Sequence, residues 1–325
     1  MRVAAVIAFC VLPALVSAQG LQAEDPSALQ EFPKAAVDRG ISMPPRVMLQ
    51  GVPTPGNQWR TSTCVAWAVA YAAGSHFHCT RLKDASAALS PAFAYALGNR
   101  DARCLATSRV SRMLDVLRDV GGLPLSEYAY DPGWCGCVPT DEERRRAAAF
   151  RIPGWAVVPG LDPTAAKLQL AAGRVVIFSM GVGPAFDAHR GQAVFDVLET
   201  GPDVYGHAMV AVGYDDEMQA FRIQNSAGTG WGDGGQAWLS YRAWRERAVT
   251  AYVITEQPSP TPAAPVQANA ELPQVDAVVL ERFKASTPAK FVFKRGSLDE
   301  VLSRYLGERT HRALALSFVD GGFWR

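Results

Sequence analysis

The chain changes texture near Arg151, and that change constrains its fold more than any other feature of the sequence. Before Arg151, the run CVAWAVAYAAGSHF that starts at Cys64 is rich in Ala and free of Pro, and Val110, Met113, Leu114 and Leu117 recur at helical spacing. After it come short β-prone runs, 175–178, 207–212, 220–223, 237–240 and 251–255, separated by Gly, Pro and Asp. Helices first and strands afterwards predict an α+β fold rather than alternating βαβ units. The expected helices are one opening near Cys64, capped by Ser62 or Thr63 and breaking at about Gly74, a second opening at Ser90-Pro91, and a third over 108–120 that Gly121-Gly122 terminates.

The two ends differ from this middle. Arg2 precedes an apolar stretch from Val3 to Val16, and Val16-Ser17-Ala18 supplies small residues for cleavage, so 1–18 is expected to be a signal peptide. The stretch is short for the ~30 Å of a bilayer core, so the expectation is export to the periplasm or the exterior, with no membrane partner once the leader is gone. Residues 19–41 are polar and are expected to be a pro-segment or N-terminal arm, ahead of a main domain over 42–256. A Pro/Ala linker covers 257–273, stiff and extended. Beyond it, 274–325 reads as a small strand-helix-strand segment whose helix opens on the capping box Ser297-Leu298-Asp299-Glu300 and to which no activity is assigned.

A formal net charge of +1 gives no electrostatic footprint for nucleic acid, and the chain is expected to be a monomer that needs no cofactor. Of its six cysteines, Cys10 leaves with the leader. An odd remainder in an exported chain points to one working thiol plus pairs. If Cys64 is that thiol, Cys79, Cys104, Cys135 and Cys137 can form two bridges in any of three ways, with Cys135 and Cys137 each pairing outward because a bridge across one residue is strained. A metal site of Cys135 and Cys137 with His76 or His78 is the weaker reading, since the spacing is too tight for zinc and no metal is expected.

A thiol is a nucleophile only as thiolate, and Cys64 falls at a helix start, where unpaired N–H groups favour negative charge. His207 sits in the apolar run GHAMVAVGY, where a lone imidazole must find a partner or be desolvated at a cost. Alone it reads as a core histidine, and Asn225, which opens NSAGTGWG, reads alone as a residue of a glycine-rich turn.

Together these residues resemble the papain family of cysteine peptidases, in which the Cys comes first and the His and Asn follow far downstream. The likeness spans roughly 42–255: Gln58 six positions before Cys64, Leu89-Ser90-Pro91, Gly206-His207-Ala208, and Asn225 through Gly232. It implies a two-lobed fold, a helical lobe beside an antiparallel, barrel-like β lobe with a cleft between them. It further implies Cys64 as nucleophile, His207 as base, Asn225 as its orienter and Gln58 in the oxyanion hole, with peptide or protein as substrate. Trp231 would then line the leaving-group side, and Tyr205 a pocket for an apolar side chain.

Three positions depart from the family: Val65 stands where an aromatic usually follows the nucleophile, Ala227 where a Trp usually shields the Asn-His hydrogen bond, and Thr61 where a Cys usually forms a disulfide. Val65 and Ala227 motivate an alternative reading, a catalytically weak or inactive peptide-binding domain of the same fold. A third, a cell-wall amidase of a smaller Cys-His fold, fits the Gln58 spacing and the Asn225 motif less well. His76, His78 and His311 are expected to be solvated or locally bonded, and His189 to lie on a polar surface.

Overall fold

A computed structural model describes residues 20–36, 40–82, 88–99, 101, 103–133 and 138–257. The leader, Cys135, Cys137, almost all of the linker, the tail and His311 lie outside the described residues.

The helical half begins with α2 (Cys64–Ala66), which runs through a π-helical segment (Trp67–Gly74) into α3 (Ser75–Leu82) without a break. Gly74 therefore does not end the helix. It costs helix propensity but leaves room for Leu89 and Leu117, which an added Cβ would meet at 3.2 and 3.1 Å. Next come α4 (Pro91–Asn99) and α5 (Val110–Asp119), both where the apolar spacing predicts them. Ser90 caps α4 through Phe93 N–H (3.2 Å), and α5 buries Val110, Met113, Leu114 and Leu117. The short α1 (Pro26–Glu31) lies in the arm, and α6 (Asp141–Ala147) closes this half with a Thr140–Glu143 capping box.

The β half is one eight-stranded sheet that does not close. Its path is β2 (Gly154–Val157), β8 (Ala248–Thr255), β3 (Val176–Val182), β5 (Tyr205–Asp215), β6 (Ala220–Gln224), β7 (Gln236–Ser240) and β4 (Val194–Phe195), with β1 (Arg46–Met48) paired to β5. All pairings are antiparallel except β4 with β7. Alternation along the central strands divides the residues between two cores. Ala208, Val210 and Val212 of β5, with Tyr252 and Ile254 of β8, face the helices. Met209 and Ala211, with Ala251 and Val253, face a second core shared with α7 (Pro163–Ala171) and α9 (Tyr241–Arg247). Because the middle strands are covered on both faces, their sequences are continuously apolar rather than alternating. Among the described residues, no helix is long and apolar enough to cross a membrane.

The arm does not hang free. Its Lys34 pairs in parallel with Val157, through Ala35 N–H to Val157 O and Val157 N–H to Pro33 O, both 2.8 Å. Farther back, Leu21 pairs with Ser108, Gly20 O accepting from Ser108 N–H (2.9 Å) and Gln22 N–H donating to Ser108 O (2.8 Å). Glu24 receives Ser111 N–H at 3.0 Å and Ser111 Oγ–H at 2.8 Å, filling the first turn of α5 with a carboxylate. Its chain thus ties the helical half to the edge strand of the sheet.

Candidate active site

Cys64 opens α2 and is fully buried, because α2 packs against β5 and the arm lies over its sulfur. Thr63 occupies the cap position but makes no cap bond. Instead its hydroxyl joins Thr61 Oγ1 (2.7 Å) and Tyr130 OH (2.9 Å), so the cap expected from sequence is replaced by a hydroxyl cluster. Thr61 Oγ1 also donates to Gln58 O at 2.7 Å, and Tyr130 OH lies 2.9 Å from that oxygen. At the position where a cysteine would staple this loop, three hydroxyls and a carbonyl hold it by hydrogen bonding.

Gln58 is buried and its amide is fixed at both ends. Ser226 Oγ–H donates to Oε1 at 2.6 Å, and Nε2 donates to Thr61 O at 2.7 Å, leaving the second Nε2 hydrogen uncommitted. Gly56 permits this loop to lie on the helix, since a Cβ there would meet the Trp67 ring at 2.0 Å. Backbone bonds from Gln58 N–H to Ser226 O and from Gly228 N–H to Gly56 O, both 2.8 Å, fasten the Gln58 loop to the Asn225 loop.

His207 Nε2 and Asn225 Oδ1 are 2.8 Å apart, which gives Nε2 the proton and leaves Nδ1 as the basic nitrogen. Nδ1 has no hydrogen-bond partner among the described residues. Burial pushes the Cys64 thiol up to about 11, against the smaller opposing pull of backbone hydrogen bonds from Ala208, Val65, Cys64 and Gly20. Burial also lowers His207, which the Asn225 bond and the Asp187 carboxylate only partly offset. The pair is therefore neutral in this state, and the helix start alone does not supply a thiolate.

Its cause is Gly20. A Cβ on this residue would lie 2.6 Å from Cys64 Sγ and 2.9 Å from the Ser62 carbonyl, so only glycine passes over the sulfur this closely. Beside it, a cavity of about 240 Å³ lies between the arm and the sheet, lined by Leu21, Val110, Met180, Tyr205, Gly206 and Thr250 among others.

With Ala227 exposed, the imidazole is flanked by other rings. Phe186 and Tyr205 stand 6.4 and 6.2 Å from it, both edge-on. Phe186 belongs to α8 (Pro184–Asp187), whose N-terminus is clamped by Glu199, which accepts from Gly183, Ala185 and Phe186 N–H at 2.9, 2.7 and 3.1 Å. The same turn presents Asp187 to the Tyr205 hydroxyl at 2.6 Å. Trp231 is buried and donates Nε1–H to Phe186 O (2.8 Å), so it supports this turn rather than offering an open face. His189 lies in a segment whose Asp187, Ala188 and Arg190 are exposed as expected, but its own ring is half-buried between Phe195 and Trp231, with Nε2 covered. His76 and His78 are neither solvated nor locally bonded as expected: both are buried and meet carbonyls far along the chain, those of Gly173 (3.1 Å) and Phe150 (3.0 Å).

Among the described cysteines, Cys64 and Cys79 carry free thiols and Cys104 is disulfide-bonded. A free Cys79 removes the scheme in which Cys79, Cys104, Cys135 and Cys137 all pair in two bridges. No group of three or more His, Cys, Asp or Glu able to hold a metal occurs among the described residues.

No protein-family model matches the chain, and no curated relative matches its sequence. Solved structures do match. Xylellain, a cysteine protease from Xylella fastidiosa, is 22% identical over 74% of this chain and 96% of its own, with a TM-score of 0.66. ProCathepsin B S9 from Trypanosoma congolense is 14% identical over 77% and 90%, with a TM-score of 0.60. Digestive procathepsin L 3 of Tenebrio molitor larval midgut is 16% identical over 74% and 78%, with a TM-score of 0.57. Gathered about the joined Gln58 and Asn225 loops, the helical half and the open sheet of this chain make up the α+β fold of the papain-like cysteine proteases.

Proposed function

We propose that this chain is an exported cysteine peptidase, held latent by its own N-terminal arm. The observation that carries the reading is a hydrogen-bonded run from His207 to Asn225, from Asn225 to Ser226 and from Ser226 to Gln58, with Cys64 opening a buried helix packed on the strand that holds His207. Three of the four residues, distant in sequence, share one hydrogen-bonded assembly, in a fold that solved cysteine proteases share.

Once the arm has left, water and substrate reach the sulfur, and the desolvation that keeps Cys64 neutral is relieved. The thiol proton passes to His207 Nδ1, giving a thiolate and an imidazolium that Asn225 holds through Nε2–H. The thiolate forms a bond to the peptide carbonyl carbon, and the oxygen takes up negative charge. Cys64 N–H and the uncommitted Nε2 hydrogen of Gln58 stabilise that charge, a contribution of about 3 kcal/mol per donor. His207 Nδ1–H then protonates the leaving amine as the C–N bond breaks. Water attacks the thioester, returns its proton to His207 and frees the sulfur. The cavity beside Tyr205 accommodates an apolar substrate side chain on the acyl side.

Latency rests on what the arm offers the sulfur. Gly20 passes over Sγ, and its carbonyl is engaged by Ser108 N–H (2.9 Å) rather than by the Gln58 amide. Two of the similar structures are described as procathepsins, which is consistent with an arm that leaves on maturation. Export by cleavage after Ala18 would leave this arm at the N-terminus of the mature chain.

The test is cleavage of a mixed peptide library by the wild-type protein and by Cys64→Ala, together with mass spectrometry after treatment with an epoxide that alkylates activated thiols. Products that vanish in the variant, and alkylation at Cys64 once the arm is removed, support the peptidase. A Cys64 that stays inert after arm removal makes the chain a peptide-binding relative without catalysis.

A further inference from the structure

Trp59 immediately follows Gln58, and its backbone has φ +55, the left-handed region that glycine and asparagine occupy readily and an aromatic residue does not. Its side chain is 65% exposed, the most exposed of the large apolar side chains described. The turn that imposes this backbone is fixed locally: Trp59 N–H donates to Asn57 Oδ1 at 2.7 Å, and Asn57 pairs with Ala227. Such an indole adds little burial to the fold, while a glycine in its place would remove the strain. A strained residue with no evident return in packing, adjoining a site, points to a role in that site.

The side of the cleft follows from the chemistry of the proposed reaction, on which this inference rests. The leaving amine must lie against His207, whose imidazole is held by Asn225. Gln58 and Trp59 adjoin the Asn225–Gly228 loop through Gln58 N–H to Ser226 O and Gly228 N–H to Gly56 O. The acyl side, by contrast, is taken by the arm and the cavity along Ser108 and Val110. Ala227, which pairs with Asn57 two positions before Trp59, is small and exposed.

We infer that Trp59 is the specificity-determining residue of the leaving-group half of the cleft, its indole forming a platform for an aromatic or large apolar side chain in the first two positions after the scissile bond. An exposed aromatic face binds such a side chain by apolar contact and offset stacking and gives little to a carboxylate. Since the arm covers the other half, this platform is open even in the latent protein.

That permits a test independent of turnover. Hexapeptides with a free N-terminus and Phe, Leu or Asp in the first two positions are titrated by calorimetry into the full chain carrying Cys64→Ala, and into the same chain with Trp59→Gly added. The expected result is binding of the Phe and Leu peptides that weakens by about fivefold to tenfold in Trp59→Gly, with the Asp peptide weak in both. Thermal unfolding of Trp59→Gly at an equal or higher temperature than its parent excludes misfolding as the cause. Equal binding by both proteins, or no binding of the Phe and Leu peptides to either, overturns the inference. Failure of the peptidase reading is separate, since it appears as a Cys64 that no epoxide labels.

Discussion

Gly20 lies over Cys64 so closely that one added methyl would come within 2.6 Å of the sulfur. This contact links a local sequence choice to the state of the whole site, because the arm is part of the burial that raises the thiol. Gly20→Val should lift the first residues of the arm, since the side chain would also meet the Ser62 carbonyl at 2.9 Å and backbone cannot move aside cheaply. The expected outcome is epoxide labelling of Cys64 at pH 7 faster by tenfold or more, on the order of the thiolate gained when burial is relieved. An unchanged rate would mean that the arm does not control the sulfur.

The pH dependence of labelling follows from the same contact. With its thiol raised to about 11, Cys64 of the intact latent chain carries thiolate only at roughly one part in 10⁴ at pH 7. Labelling of the intact chain should climb about tenfold per pH unit through the alkaline range. With the arm displaced, the thiolate is already present near neutrality and the profile should be flat there. Alkylation followed by mass spectrometry across pH 6–10 reads both forms, and parallel profiles would refute the assignment.

Tyr130 is the test of how the Gln58 loop is held. Its hydroxyl meets Thr61 Oγ1 (2.7 Å), Thr63 Oγ1 (2.9 Å) and Gln58 O (2.9 Å), in place of the disulfide that the sequence lacks here. Tyr130→Phe keeps the ring against Trp67, 4.9 Å between centroids, and removes only the hydrogen bonding. It should cost about 1–3 kcal/mol of stability, measured by urea unfolding, because partly buried hydroxyls lose their partner. Turnover should fall as well, since Gln58, the proposed oxyanion donor, rides on this loop.

The residues proposed to react stand out in the sequence because each sits in a local motif that fixes its own backbone: a helix start for Cys64, a strand for His207, a glycine-rich turn for Asn225. What was not legible depends on backbone meeting backbone. The polar arm has no apolar period, and it docks through carbonyls and N–H groups at Ser108 and Val157 that carry no side-chain signature. Likewise, α8 has four residues, too few for a periodicity, yet it sets Phe186 beside the imidazole because Glu199, twelve or more residues on, clamps it. The apolar run from Cys64 suggested a break at Gly74, but close packing of Leu89 and Leu117 against that glycine carries the helix through it. Thr63 does not cap the helix, because a distant Tyr130 competes for its hydroxyl.

Asp187 gives a last prediction, about charge. Its carboxylate accepts from Tyr205 OH at 2.6 Å and favours the protonated form of His207, while burial disfavours it. Removing that negative charge in Asp187→Asn should lower the imidazolium further, so the thiolate–imidazolium pair of the active enzyme would deprotonate at lower pH. The alkaline limb of kcat/KM should therefore move to lower pH, by a few tenths of a unit, since the carboxylate is exposed and screened. The acid limb, set by formation of the thiolate, should move less. An amide at this position still accepts from Tyr205, so a mere loss of packing would lower the whole profile without displacing its alkaline edge. Raising the ionic strength from 0.05 to about 0.5 M should bring the wild-type limb towards that of the variant, because only the charge, and not the hydrogen bond, is screened by salt.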